Sequence, residues 1–267
     1  MDAQNGTSLS PNSKADPPKA AIVCIAKNED RYIDEWLRYH LKLGFSQAFV
    51  YQNDWRYAGN RSAYGESVEW IAWDGPAMQM PAYNDFIQNR RRGFDFAAFI
   101  DVDEFVVLKK HRSIRDFISG YTRYPAVGLN WRIFGDSGIM EDDGSNGVLE
   151  RFTMRQDGFN KHIKSILNLG MLGGRVHFKN PHFAHEGWHS GFTVNVAKTR
   201  FIQGPFNEDC DESSCAWINH YRNKTVAEWE RKKERGTPDG VPFRPESFSE
   251  HNLNDVKDTT ARDFMRG

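Results

Sequence analysis

The chain has 267 residues, 35 Lys+Arg against 36 Asp+Glu, and 39% of it is hydrophobic. Balanced charge argues against a nucleic-acid binder, which usually carries a basic excess, and the apolar content argues against disorder throughout. Cys24, Cys210 and Cys215 are too few and too scattered for a disulfide scaffold or a zinc site, so a reduced cytosolic protein is the simpler reading.

No stretch approaches the roughly 18 apolar residues that a membrane span needs, although peripheral membrane association stays open. Residues 1–19 are rich in Ser, Asn, Asp and Pro and lack the apolar segment of a signal peptide, so a disordered tail is expected. Ala20 to Ala26 is continuously apolar, as in a parallel strand covered on both faces. After the polar turn Lys27-Asn28-Glu29-Asp30, the spacing of Ile33, Trp36, Leu37, His40 and Leu41 predicts a helix that Gly44 stops. His40, on its apolar face, reads as a core histidine. A second strand, Ala48 to Tyr51, ends in Gln52-Asn53-Asp54. A third strand from Ser67 to Trp73 and a helix from about Pro76 to Arg92 follow. The fourth strand, Phe96 to Ile100, runs straight into Asp101-Val102-Asp103-Glu104-Phe105.

This alternation predicts an α/β fold with a doubly wound, mostly parallel, Rossmann-like sheet. Such sheets hold ligands beyond the carboxyl ends of their strands. Lys27-Asn28-Glu29, Asn53-Asp54 and Asp101-Asp103 therefore belong to one rim.

The second half is less regular. A helix is expected over Ser113 to Tyr121, and strands over Ala126 to Phe134, Val148 to Met154 and Lys164 to Leu169. Thr225 with Glu228 makes a capping box for a helix ending at Arg235, with Gly236 and Pro238 as the stop. One domain is expected over residues 20–240, and 241–267 read as a loosely packed polar tail.

The Asp101-Val102-Asp103 triplet gains its meaning from placement. Chance alone supplies one or two such triplets at this aspartate content, and Asp209-Cys210-Asp211 is a second one. Only the first follows an apolar strand, and alternation along that strand aims both carboxylates to one side. Two hard oxygen ligands at a sheet rim suit Mg²⁺ or Mn²⁺ holding a diphosphate. A glycine-rich phosphate loop, a GxGxxG turn and a GxSxG elbow are all absent, which argues against P-loop, NAD-dependent and serine-hydrolase chemistry.

Lys27-Asn28-Glu29, Glu35-Trp36-Leu37, Tyr39-His40 and Gly44 resemble the opening of the family 92 glycosyltransferases. The similarity continues through Gln79, Tyr83-Asn84-Asp85, Asp101 to Phe105, Asn130-Trp131, Phe134 to Gly138, Glu150-Arg151 and Lys164-Ser165-Ile166. It closes on Asn180 to Phe183, Asn219-His220-Tyr221-Arg222, Lys224-Thr225, Trp229, Lys232 and Arg235-Gly236. The resemblance implies a GT-A fold and an inverting, metal-dependent transfer from a UDP-sugar, with galactose suggested, to a glycan acceptor. By it, the donor site takes in Lys27, Asn28, Glu29, Asn53, Asp54, Gln79, Asn84, Asp101, Asp103 and Lys164. Asp101, Asp103 and His220 would hold Mn²⁺ or Mg²⁺, with His182 as the second choice of histidine. Relatives of this kind often carry a membrane anchor, and its lack here suggests a cytoplasmic enzyme of bacterial or viral origin.

Inversion requires a base for the acceptor hydroxyl. The candidates are Asp136 in its glycine-flanked turn, Glu150, and Glu186 among His182, His185 and His189. Trp131 and Trp188 are aromatic faces on which a sugar could stack. A nucleotidyltransferase using the same metal–diphosphate rim is the enzyme alternative, and a non-catalytic glycan-binding module is the other.

Overall fold

The computed structural model describes residues 17–145, 147–186, 193–200, 204–237, 240, 242–244 and 247–267. Its elements in chain order are β1 (Ala20–Ala26), α1 (Ile33–Lys42), β2 (Gln47–Gln52), β3 (Val68–Ala72), α2 (Gln79–Asp85), β4 (Phe96–Phe99), β5 (Glu104–Leu108) and α3 (Ile114–Ser119). They continue with β6 (Ala126–Ile133), β7 (Met154–Arg155), β8 (Asn160–Asn168), β9 (Val176–Asn180), β10 (Phe183–Glu186), β11 (Thr193–Val194) and β12 (Ala216–His220). The last are α4 (Val226–Arg235), β13 (Val256–Lys257) and α5 (Thr260–Arg266).

The expected α/β architecture is present. The main sheet runs β3-β2-β1-β4-β8-β6-β12-β5, with β11 beside β6. Strands β3, β2, β1 and β4 are parallel neighbours, whereas β8 pairs antiparallel with both β4 and β6, and β5 pairs antiparallel with β12. The sheet is therefore mixed but mostly parallel, since β12 and β11 both run parallel to β6, and each antiparallel pairing in it involves β8 or β12, where the sequence pattern was least regular. In β1, Ala20, Ile22, Cys24 and Ala26 enter the core on one face, and Ala21, Val23 and Ile25 enter it on the other. Period-two alternation between two apolar layers is why that strand reads as an unbroken apolar run.

Helix α1 is anchored to β5 by Trp36 Nε1, which donates to the Glu104 carbonyl (3.0 Å), and by the Tyr39 hydroxyl, which donates to the Val106 carbonyl (2.8 Å). Gly44, at φ +101°, takes the left-handed turn that ends this helix region. His40 is the expected core histidine. Its Nδ1–H donates to the Trp36 carbonyl (2.9 Å) and its Nε2 accepts from the Val106 amide (3.3 Å). Ser113 caps α3 by accepting from the Asp116 amide, and Thr225 and Glu228 close the expected capping box.

Several boundaries differ from the sequence expectation. Helix α2 begins at Gln79 rather than near Pro76, because the chain first turns at Gly75 (φ +121°) and Ala77 (φ +53°). Of the Val148–Met154 segment only Met154 is in a strand, β7, since Phe152 N bonds back to the Val148 carbonyl in a helical turn. Within residues 241–267, the described part is not a loose tail. β13 pairs with β7, Ala261 is buried, and Phe264 stacks edge-on against Tyr39 at 5.2 Å. Asp258 takes Arg155 Nε at 2.8 Å and Arg132 Nη1 at 3.3 Å. Of the expected N-terminal tail, residues 1–16 lie outside the described residues, while Lys19 N donates to Asp95 (2.7 Å).

Candidate active site

Strand β4 ends at Phe99, and Asp101 to Asp103 form the turn into β5 rather than a continuation of the strand. The Asp101 amide donates to Glu104 Oε2 (2.8 Å) and the Glu104 amide returns to the Asp101 carbonyl (3.0 Å). The turn, not strand alternation, thus decides where the two carboxylates go. They pair with different lysines but line one cavity of about 190 Å³, together with Glu29, Gln79, Trp131, Lys164, His182, His220, Arg222, Lys232 and Arg235. A neighbouring cavity of about 460 Å³ shares Glu29, Lys232 and Arg235 and adds Asn28, Tyr32 and Lys224.

Each carboxylate has its own lysine. Asp101 Oδ2 accepts from Lys164 Nζ (2.8 Å), and its Oδ1 accepts from Gln79 Nε2 (2.8 Å). Lys164 is buried on β8 and also stands 3.5 Å from the buried Glu104. Burial opposes its charge, but Asp101 and Glu104 outweigh that and push its pKa up. Asp103 Oδ2 accepts from Lys232 Nζ (2.6 Å), with Lys224 Nζ 4.0 Å away and His220 Nε2 3.6 Å from Oδ1. Burial favours protonating Asp103, yet Lys232, His220 and Lys224 together hold its carboxyl well below the usual range. Burial lowers His220 to about 4 despite Asp103, so the imidazole is neutral at pH 7. Burial likewise brings Lys224 down to about 8.

Helix α4 supplies much of this cationic wall. Lys232 and Arg235 lie on one helical face, three residues apart. Arg235 Nη1 donates to the Lys27 carbonyl (2.8 Å) and pairs with Glu29, which fixes the β1–α1 loop against α4. Arg222 follows β12 and is held by the C-terminal segment, donating to the Ser247 carbonyl (3.0 Å), to Ser247 Oγ (2.6 Å) and to His251 Nδ1 (2.7 Å). Trp131 from β6 forms the aromatic wall, with its ring centroid 4.4 Å from that of His220 and 5.2 Å from that of His182.

Glu29, Gln79, Asp101, Asp103, Lys164 and His220 thus meet in one place, and Asn28 lines the adjoining cavity. Other expected site residues are engaged elsewhere. Lys27 pairs with Asp54 at 3.3 Å on the outer rim. Asn53 is buried and donates to the carbonyls of Trp73 (3.0 Å) and Gly75 (2.7 Å), while Asp54 accepts from the Gly75 amide, so both latch the loop after β3. Asn84 exchanges hydrogen bonds with the Phe178 backbone and pins α2 to β9. Asp136 accepts from Gly138 N, Asn252 Nδ2 and Asn254 Nδ2, and Glu150 forms a two-pronged exposed pair with Arg266. Neither lines the two cavities just described. The Glu186 side chain, Trp188 and His189 lie outside the described residues. Sequence reasoning assigned no role to Arg222, Lys224, Lys232 or Arg235, although basic residues just before and along a capped helix were the available signal.

The sequence profile of the family 92 glycosyltransferases matches residues 66–264. The chain belongs to glycosyltransferase family 92. A family 92 protein of Arabidopsis thaliana is 22% identical over 251 residues, covering 80% of this chain and 40% of that protein. One of Oryza sativa subsp. japonica is 22% identical over 280 residues, covering 93% and 44%. One of Ricinus communis is 24% identical over 232 residues, covering 80% and 39%. This family 92 chain therefore spans less than half the length of these curated relatives. Among its described residues, no helix is long and apolar enough to cross a membrane.

Proposed function

We propose that this family 92 chain is a GT-A glycosyltransferase that moves a hexose from a UDP-sugar to a glycan acceptor with inversion. The observation that carries the reading is the cavity beyond β1 and β4, where Asp101 and Asp103 sit among Lys164, Arg222, Lys232 and Arg235. A diphosphate is the ligand whose charge such a wall complements.

Divalent-metal dependence is part of the proposal. Among the described residues, no three His, Cys, Asp or Glu side chains form a metal-holding cluster. An ion of the magnesium type needs only one or two protein carboxylates when phosphate oxygens and water complete its shell. Asp103 Oδ1 and the neutral His220 Nε2, 3.6 Å apart and beyond an ordinary hydrogen bond, fit that requirement, and Asp101 lines the same cavity. Mn²⁺ or Mg²⁺ held by Asp103 and His220, with phosphate oxygens completing its shell, would supply Lewis-acid stabilisation of the departing diphosphate, and Asp101 would join only on ligand binding.

The chain's own groups do the rest. Lys232, Arg222 and Arg235 are fixed before the reaction by hydrogen bonds to the protein, so they meet the negative charge that grows on the leaving phosphate without reorganising. Trp131, stacked against His162 at 5.0 Å, lines the same cavity and is largely covered by histidine rings. The test is a thermal-shift panel of nucleoside diphosphates with and without Mn²⁺. A shift for UDP that depends on metal supports the reading. Equal shifts without metal overturn the metal role, and no shift for any nucleotide overturns the transferase reading.

A further inference from the structure

Transfer with inversion leaves one proton to be removed, and neither Asp136 nor Glu150 lines the cavity. We propose that His182 is the general base that takes the acceptor hydroxyl proton. The inference rests on the glycosyl-transfer reading above and adds the group that reading lacks.

His182 stands in the turn between β9 and β10 and lines the same cavity as Asp101, Asp103 and Lys164. Its Nδ1 lies 2.9 Å from the Ile163 carbonyl. A carbonyl only accepts, so Nδ1 carries the hydrogen, and Nε2 keeps the lone pair that a base needs. Two backbone contacts fix the residue further: its amide donates to Asn180 Oδ1 (2.9 Å), and its carbonyl accepts from Ser165 Oγ (2.8 Å). The ring centroid stands 5.2 Å from that of Trp131, which lines the same cavity. Tautomer, position and neighbour are thus all set by hydrogen bonds before substrate arrives, as a base requires.

Burial is the largest influence on the ring, and Lys164, His162 and His220 add to it, so the free imidazole is neutral. A diphosphate entering the same cavity offsets the charge of Lys164 and raises the ring's affinity for a proton as it is needed. In the step itself, the acceptor oxygen bonds to the anomeric carbon from the face opposite the leaving group. The bond from that carbon to the phosphate oxygen breaks, its electron pair leaves on UDP, and the hydroxyl proton moves to Nε2.

The experiment uses a panel of UDP-sugars with water as acceptor, reading UDP release, and calorimetric UDP binding alongside it. In His182→Asn, the side-chain amide can still donate to the Ile163 carbonyl but offers no base. UDP release is expected to fall about 10²–10⁴-fold, with UDP affinity within about threefold of wild type. His182→Ala is expected to lose release similarly and to regain part of it in added imidazole, which a structural role would not produce. Release by His182→Asn within about threefold of wild type overturns the assignment, and so does an affinity that falls in step with release. A wild-type protein that neither binds UDP nor releases it overturns the transferase reading itself, a different signature from failure of the base alone.

Discussion

Asp103 and Asp136 each follow the carboxyl end of a sheet strand, and each is held by several donors, yet their surroundings differ in kind. Asp103 faces Lys232 and Lys224, whose charge a ligand can share, and the neutral His220 in a cavity. Asp136 faces Asn252, Asn254 and the Gly138 amide, neutral donors that close a turn against the C-terminal segment. A Cβ on Gly135, just before Asp136, would collide with Asn254 and the Leu253 carbonyl, so that corner is packed shut. An acid at a strand end becomes a site only when its partners leave room for a ligand and carry charge for it to meet.

The contrast can be broken from either side. Lys232→Met removes the ammonium beside Asp103 and is expected to lower UDP-sugar turnover about 10²-fold, the scale of one preorganised charge-stabilising donor. Turnover close to wild type would mean that Lys232 serves only the fold. On the other side, Asp136→Ala strands Asn252 and Asn254 and should cost about 1–3 kcal/mol in urea unfolding. Its specific turnover should stay within about twofold of wild type, and a large loss would return Asp136 to the chemistry.

Histidines extend the same comparison. Burial lowers His40 from 6.5 to about 3, so the unfolded chain binds a proton between those values and the native chain does not. Its stabilising contribution is complete above pH 6.5 and is lost as pH falls toward 3, by about 1.4 kcal/mol per unit. Unfolding midpoints measured from pH 6 to 4 should fall more steeply in wild type than in His40→Gln, and equal slopes would contradict the buried neutral state. The smallest effect belongs to Glu150. Its pair with Arg266 is more than half exposed on both sides, so Glu150→Gln should change stability by less than about 0.5 kcal/mol.

Local signals in the sequence were the dependable ones. The apolar run of β1, the capping box at Thr225 and Glu228, and the helical spacing around His40 each depend on residues a few positions apart. What escaped depends on partners far along the chain. Asn53 and Asn84 look like rim ligands until the carbonyls they serve, at Trp73, Gly75 and Phe178, are brought to them. Residues 241–267 read as a tail because Asn254, Asp258 and Ala261 are scattered anchors without periodicity, although they meet Asp136, Arg132 and the core. The antiparallel entry of β8 between β4 and β6 brings Lys164 to Asp101, and no short-range pattern encodes that pairing.

The central claim is that Asp103 and its cationic surroundings hold a metal-bound nucleoside diphosphate. Calorimetric titration of UDP into wild type and Asp103→Ala, each with and without Mn²⁺, tests it most directly. The account predicts metal-dependent binding in wild type that Asp103→Ala loses by at least about tenfold, or 1.4 kcal/mol. Binding of equal strength in the two proteins would contradict it.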